Sequence, residues 1–211
     1  MGFKRWSRNP KFCNMCIGQI SERGIGGAEV EISMLFADVR GSTALAETMS
    51  STAFAELMNR FYAVATDALI VRDAMVDKFV GDEVVALFIP AFAGPDHAKQ
   101  AVSAAVDLLR ATGQGTAEGP WIPVGVGVHT AVAYVGSVGS TGKVSDVTAL
   151  GDPVNTTARL ASVAAAGEIL VTDQSASAAG LETTPLTHRD VDLKGKTAPV
   201  GVYVLDASSS I

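Results

Sequence analysis

The stretch VDKFVGDEV, residues 76 to 84, joins two mainly apolar runs that look like buried strands, and it places a lysine, Lys78, and a carboxylate, Asp82, at this junction. The runs are AMVDKFV and EVVALFIP, and only Gly81 and Asp82 separate them. A Gly-Asp pair between two such runs predicts a β-hairpin with a very tight connection. A hydrophobic core has no use for unpaired charges, so Lys78 and Asp82 need an explanation other than packing.

The patterns on either side of this hairpin mix strands with helices. VEISMLFADV begins at Val30 and has strand length, whereas residues 51–74 carry apolar side chains at helical spacing, with Ser51 or Thr52 available as N-cap. A second helix is predicted to open at Asp96 and to stop at Gly113.

The second half of the chain is rich in strand patterns. One more helix is expected there, with Asp152 as N-cap and Pro153 in its first turn, and a short helix should follow ILVTD. The predicted strands are WIPVGVGVHT, AYVGSVG, SDVTAL, ILVTD and residues 184–193 and 200–206. Hairpins exclude an all-parallel sheet, so the expected fold class is α+β, with helices over a mostly antiparallel sheet.

Composition narrows the class of protein. The chain has 211 residues, is 48% hydrophobic and carries a formal net charge of -6, which suits one acidic domain and argues against nucleic acid as a partner. Charged residues interrupt the first apolar residues, so no signal peptide is expected. The longest uncharged stretch, residues 119–142, alternates like strands, so a cytoplasmic protein without a membrane span is predicted.

The N-terminal arm differs from the rest in charge. Its basic residues face a single acid, Glu22, and a solvated tail is favoured over a membrane or partner contact; they are Lys4, Arg5, Arg8, Lys11 and Arg23. Cys13 and Cys16 form one C-x-x-C. A zinc site would need two more ligands, so two ordinary thiols are favoured over a redox pair or a metal site shared across a dimer.

Two carboxylates stand out beyond the arm. Asp38 ends an apolar strand, and Asp82 lies at the predicted hairpin tip. Each alone is typical of ordinary turn or cap chemistry, but two carboxylates without a matching histidine or thiolate suit Mg²⁺ or Mn²⁺. The segment VRGST follows Asp38, and a turn of this composition that enters a helix can cradle phosphate oxygens with its backbone N–H groups.

FADVRGST, DKFVGDEV and TALGDPVNTTARL together resemble the signature blocks of class III nucleotidyl cyclases, over about residues 28 to 206. The resemblance implies a ferredoxin-like or palm-type sheet and a catalytic domain at 28–206, between an arm or linker at 1–27 and a tail at 207–211. It also implies that Asp38, Asp82 and the carbonyl of Val39 bind two Mg²⁺ or Mn²⁺ ions per site.

The same resemblance assigns substrate-binding and catalytic roles. Lys78 and Thr148 correspond to the base-recognising pair; threonine replaces the aspartate of many members and is similar to the bacterial, bicarbonate-responsive subgroup. Asn155 and Arg159, four residues apart on one helix, match the pair that stabilises the transition state, and both are catalytic candidates beside the two aspartates. The expected phosphate contacts are Arg40, Gly41, Ser42, Thr43 and Lys194.

The implied reaction is conversion of ATP to cyclic AMP and pyrophosphate, in cyclic-nucleotide signalling. Lys78 and Asp82 lie four positions apart, about 13 Å along an extended strand, which favours two composite sites in a homodimer. A guanylate or diguanylate cyclase and a weakly active nucleotide-binding regulatory domain remain alternatives. The arm could connect a regulatory domain or partner, and the three histidines are expected to be structural or exposed rather than catalytic: His97, His129 and His188.

Overall fold

A computed structural model describes residues 5–6, 8–13, 26–139 and 145–211. The C-x-x-C pair lies outside this description, because Cys16 falls in a gap and only the backbone of Cys13 is covered. Within the described residues, no helix has both the length and the apolarity needed to cross a membrane.

The described elements alternate between strands and helices in the first half, and strands dominate the second half. The strands are β1 (Arg5–Trp6), β2 (Asn9–Cys13), β3 (Gly27–Val39), β4 (Met75–Val80), β5 (Glu83–Phe88), β6 (Val124–Gly139), β7 (Ser145–Leu150), β8 (Ile169–Thr172), β9 (Thr187–Val191) and β10 (Val200–Leu205). The helices are α1 (Ser42–Thr48), α2 (Ser51–Val71), α3 (Pro90–Ala93), α4 (His97–Ala111), α5 (Asp152–Val163) and α6 (Asp173–Ala178).

Eight strands form one sheet in the order β4-β5-β3-β6-β8-β10-β9, and β7 pairs with β6 beside this path. The pairing is antiparallel except between β6 and β8. This confirms the predicted α+β class and the mostly antiparallel sheet. The predicted hairpin is also present, with β4 and β5 joined through Gly81 and Asp82.

Each face of the sheet has its own apolar core. On one face, α2 and α4 cover the sheet through side chains such as Phe61, Leu69 and Leu108. On the other face, α5 packs on β3 and β6, with Ala161 among the buried contacts. Gly127 permits this close approach, because a Cβ atom there would lie 2.6 Å from the backbone nitrogen of Ala161. Gly127 therefore allows α5, the helix that carries Asn155 and Arg159, to pack closely on the sheet.

Several predicted boundaries were wrong. The N-cap of α2 is Ser50, whose hydroxyl accepts from the backbone of Ala53, rather than Ser51 or Thr52. Helix α5 begins at Asp152 itself, after Gly151, so Asp152 is not its cap. WIPVGVGVHT and AYVGSVG were expected as separate strands, but they belong to the single strand β6, which pairs with β3 along its whole length.

The expectation of a solvated N-terminal tail was also wrong for the described part of the arm. Strands β1 and β2 form an antiparallel hairpin that docks at β4, where the backbone N–H of Val76 donates to the carbonyl of Arg8 at 3.2 Å. Asn9 is fully buried, and its amide donates to the carbonyl of Ala74 at 3.0 Å. The arm therefore packs against the strand that carries Lys78.

Candidate active site

Asp38 and Asp82 come together at one end of the paired strands β3 and β5. Asp38 lies opposite Glu83 in the ladder, and the backbone N–H of Val39 donates to the carbonyl of Asp82 at 3.3 Å. The hairpin turn thus brings a third carboxylate, Glu83, beside the two predicted ones. We call Asp38, Asp82 and Glu83 the acidic cluster.

The acidic cluster is only partly neutralised. Burial, together with the neighbouring charge of Asp82, raises the pKa of Glu83 to about 7. Within the described part of the chain, Oε1 of Glu83 is buried and has no hydrogen-bond partner. A buried oxygen without a partner beside two further carboxylates is a setting that a divalent cation would relieve, so these residues fit the metal expected from the sequence.

The donor set also limits how a metal could bind. Among the described residues, no group of three or more His, Cys, Asp or Glu side chains is placed so that it could hold a metal ion by itself. Mg²⁺ commonly binds through one or two carboxylates and completes its shell with water and substrate phosphates. Asp38 and Asp82 with the carbonyl of Val39 therefore suit a metal that arrives with a phosphorylated substrate.

Arg40 is the cation that currently faces the acidic cluster. Its guanidinium contacts the carboxylate of Asp38 and donates to the carbonyl of Ser162, at the end of α5, at 2.6 Å. Burial lowers the pKa of Arg40, while Asp82 and Glu83 oppose this change. A metal bound by Asp38 would compete with this ion pair.

A cavity of about 580 Å³ opens beside Asp82, between α1, α2 and the hairpin turn. Ser42 and Thr43, two of the predicted phosphate contacts, line it at the start of α1, directly after Gly41. The phenol of Tyr62 donates to the carbonyl of Gly81, and its ring stacks on Phe79 with centroids 4.5 Å apart. A larger cavity of about 970 Å³ near the C-terminus is lined by none of the predicted site residues.

Lys78 and Thr148 meet although 70 positions separate them. Nζ of Lys78 donates to Oγ1 of Thr148 at 3.3 Å, from β4 to β7. Thr148 is buried, whereas the Lys78 side chain is 43% exposed. The predicted pair therefore forms a contact within one chain, with the lysine reaching toward solvent.

Asp77, which the sequence analysis did not select, lies at the centre of this contact. Its side chain is 2% exposed, and its Oδ2 accepts from the hydroxyl of Thr148 at 2.8 Å and lies 3.1 Å from Nζ of Lys78. Arg8 approaches the other carboxylate oxygen at 3.4 Å. We call Lys78, Asp77, Thr148 and Arg8 the Lys78 cluster. The sequence offered one signal for the role of Asp77, because Asp77 is an acid next to the selected Lys78 in a strand that was expected to be buried.

Asn155 and Arg159 lie on α5, where Asn155 is exposed and Arg159 is partly buried. The guanidinium of Arg159 covers Gly195, because a Cβ atom there would lie 3.3 Å from its Nη2. Lys194, next to Gly195, is exposed in the turn between β9 and β10. The structure thus brings Arg159 close to the backbone beside Lys194.

The three histidines have structural surroundings. Nδ1 of His97 lies 2.9 Å from the hydroxyl of Ser33, and Nδ1 of His129 lies 3.0 Å from the hydroxyl of Thr172. Burial, with a smaller effect of Lys196, lowers the pKa of His129 to about 4. His188 pairs with Asp173 at the surface. Each histidine has a partner outside the acidic cluster and the Lys78 cluster.

Comparisons with known proteins agree on one family. The sequence model of one protein family, described as the adenylate and guanylate cyclase catalytic domain, matches residues 28–207 of this chain. An adenylate cyclase of Anabaena cylindrica is 28% identical over 209 residues, which cover 92% of this chain and 41% of that protein. An uncharacterized protein of Mycobacterium tuberculosis is 31% identical over 183 residues, 83% of this chain and 32% of that protein. The chain therefore spans less than half the length of these relatives.

Solved structures with this fold include cyclases of both substrate types. The guanylyl cyclase Cya2 has a TM-score of 0.75 and 27% identity, covering 85% of this chain and 93% of that one. The adenylyl cyclase CyaB from P. aeruginosa has a TM-score of 0.73 and 28% identity, covering 86% of this chain and 96% of that one. The fold is thus that of cyclase catalytic domains, and the nucleotide has to be inferred from this chain's own residues.

Proposed function

Because the chain belongs to the family of adenylate and guanylate cyclase catalytic domains, we propose that it converts ATP to 3′,5′-cyclic AMP and pyrophosphate. The 3′ hydroxyl of the ribose loses its proton to solvent and its oxygen forms a bond to the α-phosphorus, while the bond from the α-phosphorus to the bridging oxygen breaks and that oxygen leaves with pyrophosphate. In this proposal the domain acts in the cytoplasm, in cyclic-nucleotide signalling, as a homodimer with two divalent metal ions at each of two sites.

The observation that carries the choice of ATP is the 3.3 Å contact between Lys78 and Thr148. Lysine has only donors, and adenine presents an unprotonated N1 that can accept one. Guanine presents an N1–H at the same place, so a donor would face a donor. Thr148 adds an oxygen that can accept from the amino group of adenine.

Asp38 and Asp82, with the carbonyl of Val39, would hold the metal ions. When bound, such ions lower the pKa of the attacking hydroxyl and neutralise the triphosphate. Arg40 pairs with Asp38, and its guanidinium would offer donors to a phosphate bound beside that carboxylate. Ser42 and Thr43 offer their hydroxyls beside the cavity next to Asp82.

Arg159 and Asn155 act on the reacting centre in this proposal. A guanidinium aimed at the α-phosphoryl group stabilises the charge that gathers there in the transition state. Asn155, exposed one turn earlier on α5, would orient the ribose through a hydrogen bond. Lys194 extends from the neighbouring turn toward the terminal phosphates.

Sharing of sites between two chains is supported by the hairpin. Phe79 and Val80, next to its tip, are 45% and 52% exposed, and Leu150 at the end of β7 is 48% exposed. Large apolar side chains that are exposed in this way favour contact with another protein surface. In the proposed homodimer, one chain supplies Asp38 and Asp82, and the other supplies the base-recognising and transition-state pairs.

A guanylate cyclase is the second candidate, because the guanylyl cyclase Cya2 shares 27% identity over most of this domain. The deciding experiment incubates the purified chain with ATP or GTP and Mn²⁺ and identifies the products by mass. Cyclic AMP as the main product is expected. Cyclic GMP as the main product would reject the adenine assignment, and intact nucleotide alone would favour a regulatory nucleotide-binding domain.

A further inference from the structure

The Lys78 cluster contains a fixed order of donors and acceptors. Lys78 has only donors at its ammonium group, and the carboxylate of Asp77, held between Lys78 and Arg8, has only acceptors. The hydroxyl of Thr148 contacts both groups, at 3.3 Å from Lys78 and 2.8 Å from Asp77. The single hydroxyl proton of Thr148 must therefore point to Asp77, and its oxygen accepts from Lys78.

This order decides what Thr148 can offer a nucleobase. With its proton committed to Asp77, the hydroxyl has only a lone pair left for another group. The amino group of adenine is a donor and matches that lone pair. The O6 atom of guanine is an acceptor and would face another acceptor, which a desolvated site penalises. Without Asp77, the hydroxyl could rotate and donate to guanine.

Arg8 from the N-terminal arm holds this arrangement in place. It donates to both carboxylate oxygens of Asp146, at 2.6 and 2.8 Å, and to the carbonyl of Val147 at 2.8 Å. The same guanidinium approaches Asp77 at 3.4 Å. It thus links β4 to the residues directly before Thr148 on β7 and supports the geometry of both strands.

We infer that Asp77, braced by Arg8, is a positioning residue that selects adenine over guanine by fixing the hydroxyl of Thr148 as an acceptor. This inference rests on the proposed cyclase function and assigns a determinant of its substrate choice. Asp77 acts through Thr148, since its side chain is 2% exposed and both of its oxygens face protein groups.

The test compares the full chain with Asp77→Ala, Thr148→Val and the double variant. The measured quantity is the ratio of kcat/KM for ATP to kcat/KM for GTP, which does not depend on the fraction of active protein. Each single variant should lower this ratio about tenfold, and the double variant should lower it no further, because both remove the same interaction. An unchanged ratio in Asp77→Ala, or a double variant whose loss is the product of the two single losses, would overturn the inference.

Asp73→Asn is the matched control. Asp73 pairs with Lys11 of the same arm at 2.5 Å and lies beside the start of β4, where asparagine tolerates its positive φ of 61°. The ratio should stay at the wild-type value in this variant. An equal loss of the ratio would mean that displacement of the arm, rather than the polarity of Thr148, causes the effect, and would also overturn the inference.

Two additions keep the test decisive. Asp77→Ser takes the place of Asp77→Ala if the alanine variant does not fold. It retains a polar group, but its hydroxyl lies one bond closer to the backbone than the carboxylate oxygens do, so it should lower the ratio in the same way. Dissociation constants for 3′-deoxy-ATP and 3′-deoxy-GTP, which cannot cyclise, give a second ratio without turnover. If the wild type binds but does not cyclise, the proposed function fails and this ratio still tests Asp77. Wild-type preference for the guanine analogue, or binding of neither analogue, would contradict both.

Discussion

The acidic cluster and the Lys78 cluster stand in contrast, although the hairpin β4–β5 contributes to both. In the Lys78 cluster, both carboxylate oxygens of Asp77 face cations or a hydroxyl within the same chain. In the acidic cluster, Oε1 of Glu83 is buried, and no described residue offers it a hydrogen bond. Burial and Asp82 raise the pKa of that carboxyl to about 7.

The Lys78 cluster is therefore a preassembled region, whereas the acidic cluster is incomplete without a further partner. A satisfied buried network contributes to stability and fixes geometry before any ligand arrives. A group of acids with too few partners is costly to the folded chain and becomes favourable when a cation binds. Changes in the acidic cluster should therefore affect turnover, and changes in the Lys78 cluster should affect stability and substrate choice.

The largest effect is expected from Asp82→Ala. Removal of a proposed metal ligand should lower kcat at least about a thousandfold, in line with the loss of a group that organises transition-state charge. The free energy of unfolding should stay the same or rise slightly, since Asp82 lies in a turn and its removal relieves the repulsion with Glu83. Steady-state kinetics with Mn²⁺ and denaturant unfolding measure the two quantities.

A charge-matched control for this variant is Asp67→Ala, an exposed aspartate on α2. It should retain wild-type turnover and stability. Normal turnover in Asp82→Ala would contradict the metal assignment. A large loss of stability in that variant would contradict the contrast between the two clusters.

Asp77→Ala should show the opposite pattern of stability. Removing an acid from a buried network leaves Lys78, Arg8 and Thr148 without their shared acceptor, which we expect to cost about 2–4 kcal/mol of unfolding free energy. Urea unfolding at a fixed protein concentration measures this cost against Asp82→Ala. Equal stabilities of the two variants would mean that the two clusters do not differ in their contribution to folding.

His129 gives a smaller, pH-dependent effect that must be separated from both clusters. Its pKa is lowered by burial to about 4 in the folded chain, so the unfolded chain binds the extra proton first as the pH falls below about 6.5. The contribution of His129 to stability is therefore retained above that pH and lost between about 6.5 and 4, by about 2 kcal/mol from pH 7 to pH 5.

Burial raises the pKa of Glu83 to about 7, so protonation of Glu83 stabilises the folded chain as the pH falls and opposes the His129 slope. The His129 contribution is therefore measured as the difference in unfolding free energy between the wild type and His129→Asn, which should change by about 2 kcal/mol from pH 7 to pH 5. If this difference stayed constant across the range, His129 would not carry the effect. Comparisons of the two clusters are therefore best made above pH 7.

The sequence was sufficient for the fold class and for one long-range pair that meets in space, Lys78 and Thr148. The two apolar runs on either side of Gly81 and Asp82 predicted the β4–β5 hairpin, and Lys78 contacts Thr148 as a base-recognising pair would. The roles of these residues remain predictions. The cap of α2 was assigned one or two residues too late because Ser50, Ser51 and Thr52 are all suitable caps.

Asp77 was missed for a physical reason. In a regular strand, neighbouring side chains point to opposite faces, so Asp77 and Lys78 would not be expected to share one partner. The register of β4 against β5 shifts between Val76 and Lys78, and such a bulge re-aims side chains locally. A register shift depends on pairing with the neighbouring strand, and the pattern of one strand does not report it.

The docked arm was missed for a related reason. Its basic residues looked like a solvated tail because their partners, Asp146 for Arg8 and Asp73 for Lys11, lie far along the chain. The amide nitrogen of buried Asn9 likewise has its partner, the carbonyl of Ala74, far along the chain. Long-range polar pairs of this kind follow from the tertiary fold and have no local sequence signal.

The most direct test of the account mixes Asp38→Ala chains with Arg159→Ala chains. Each variant alone should be almost inactive. If sites are shared across a homodimer, random mixing makes half of the dimers mixed, each with one intact site, so cyclic AMP production should recover to about a quarter of the wild-type rate. Absence of recovery, with mixed dimers demonstrated by mass spectrometry, would contradict the claim that the acids of one chain work with the arginine of another.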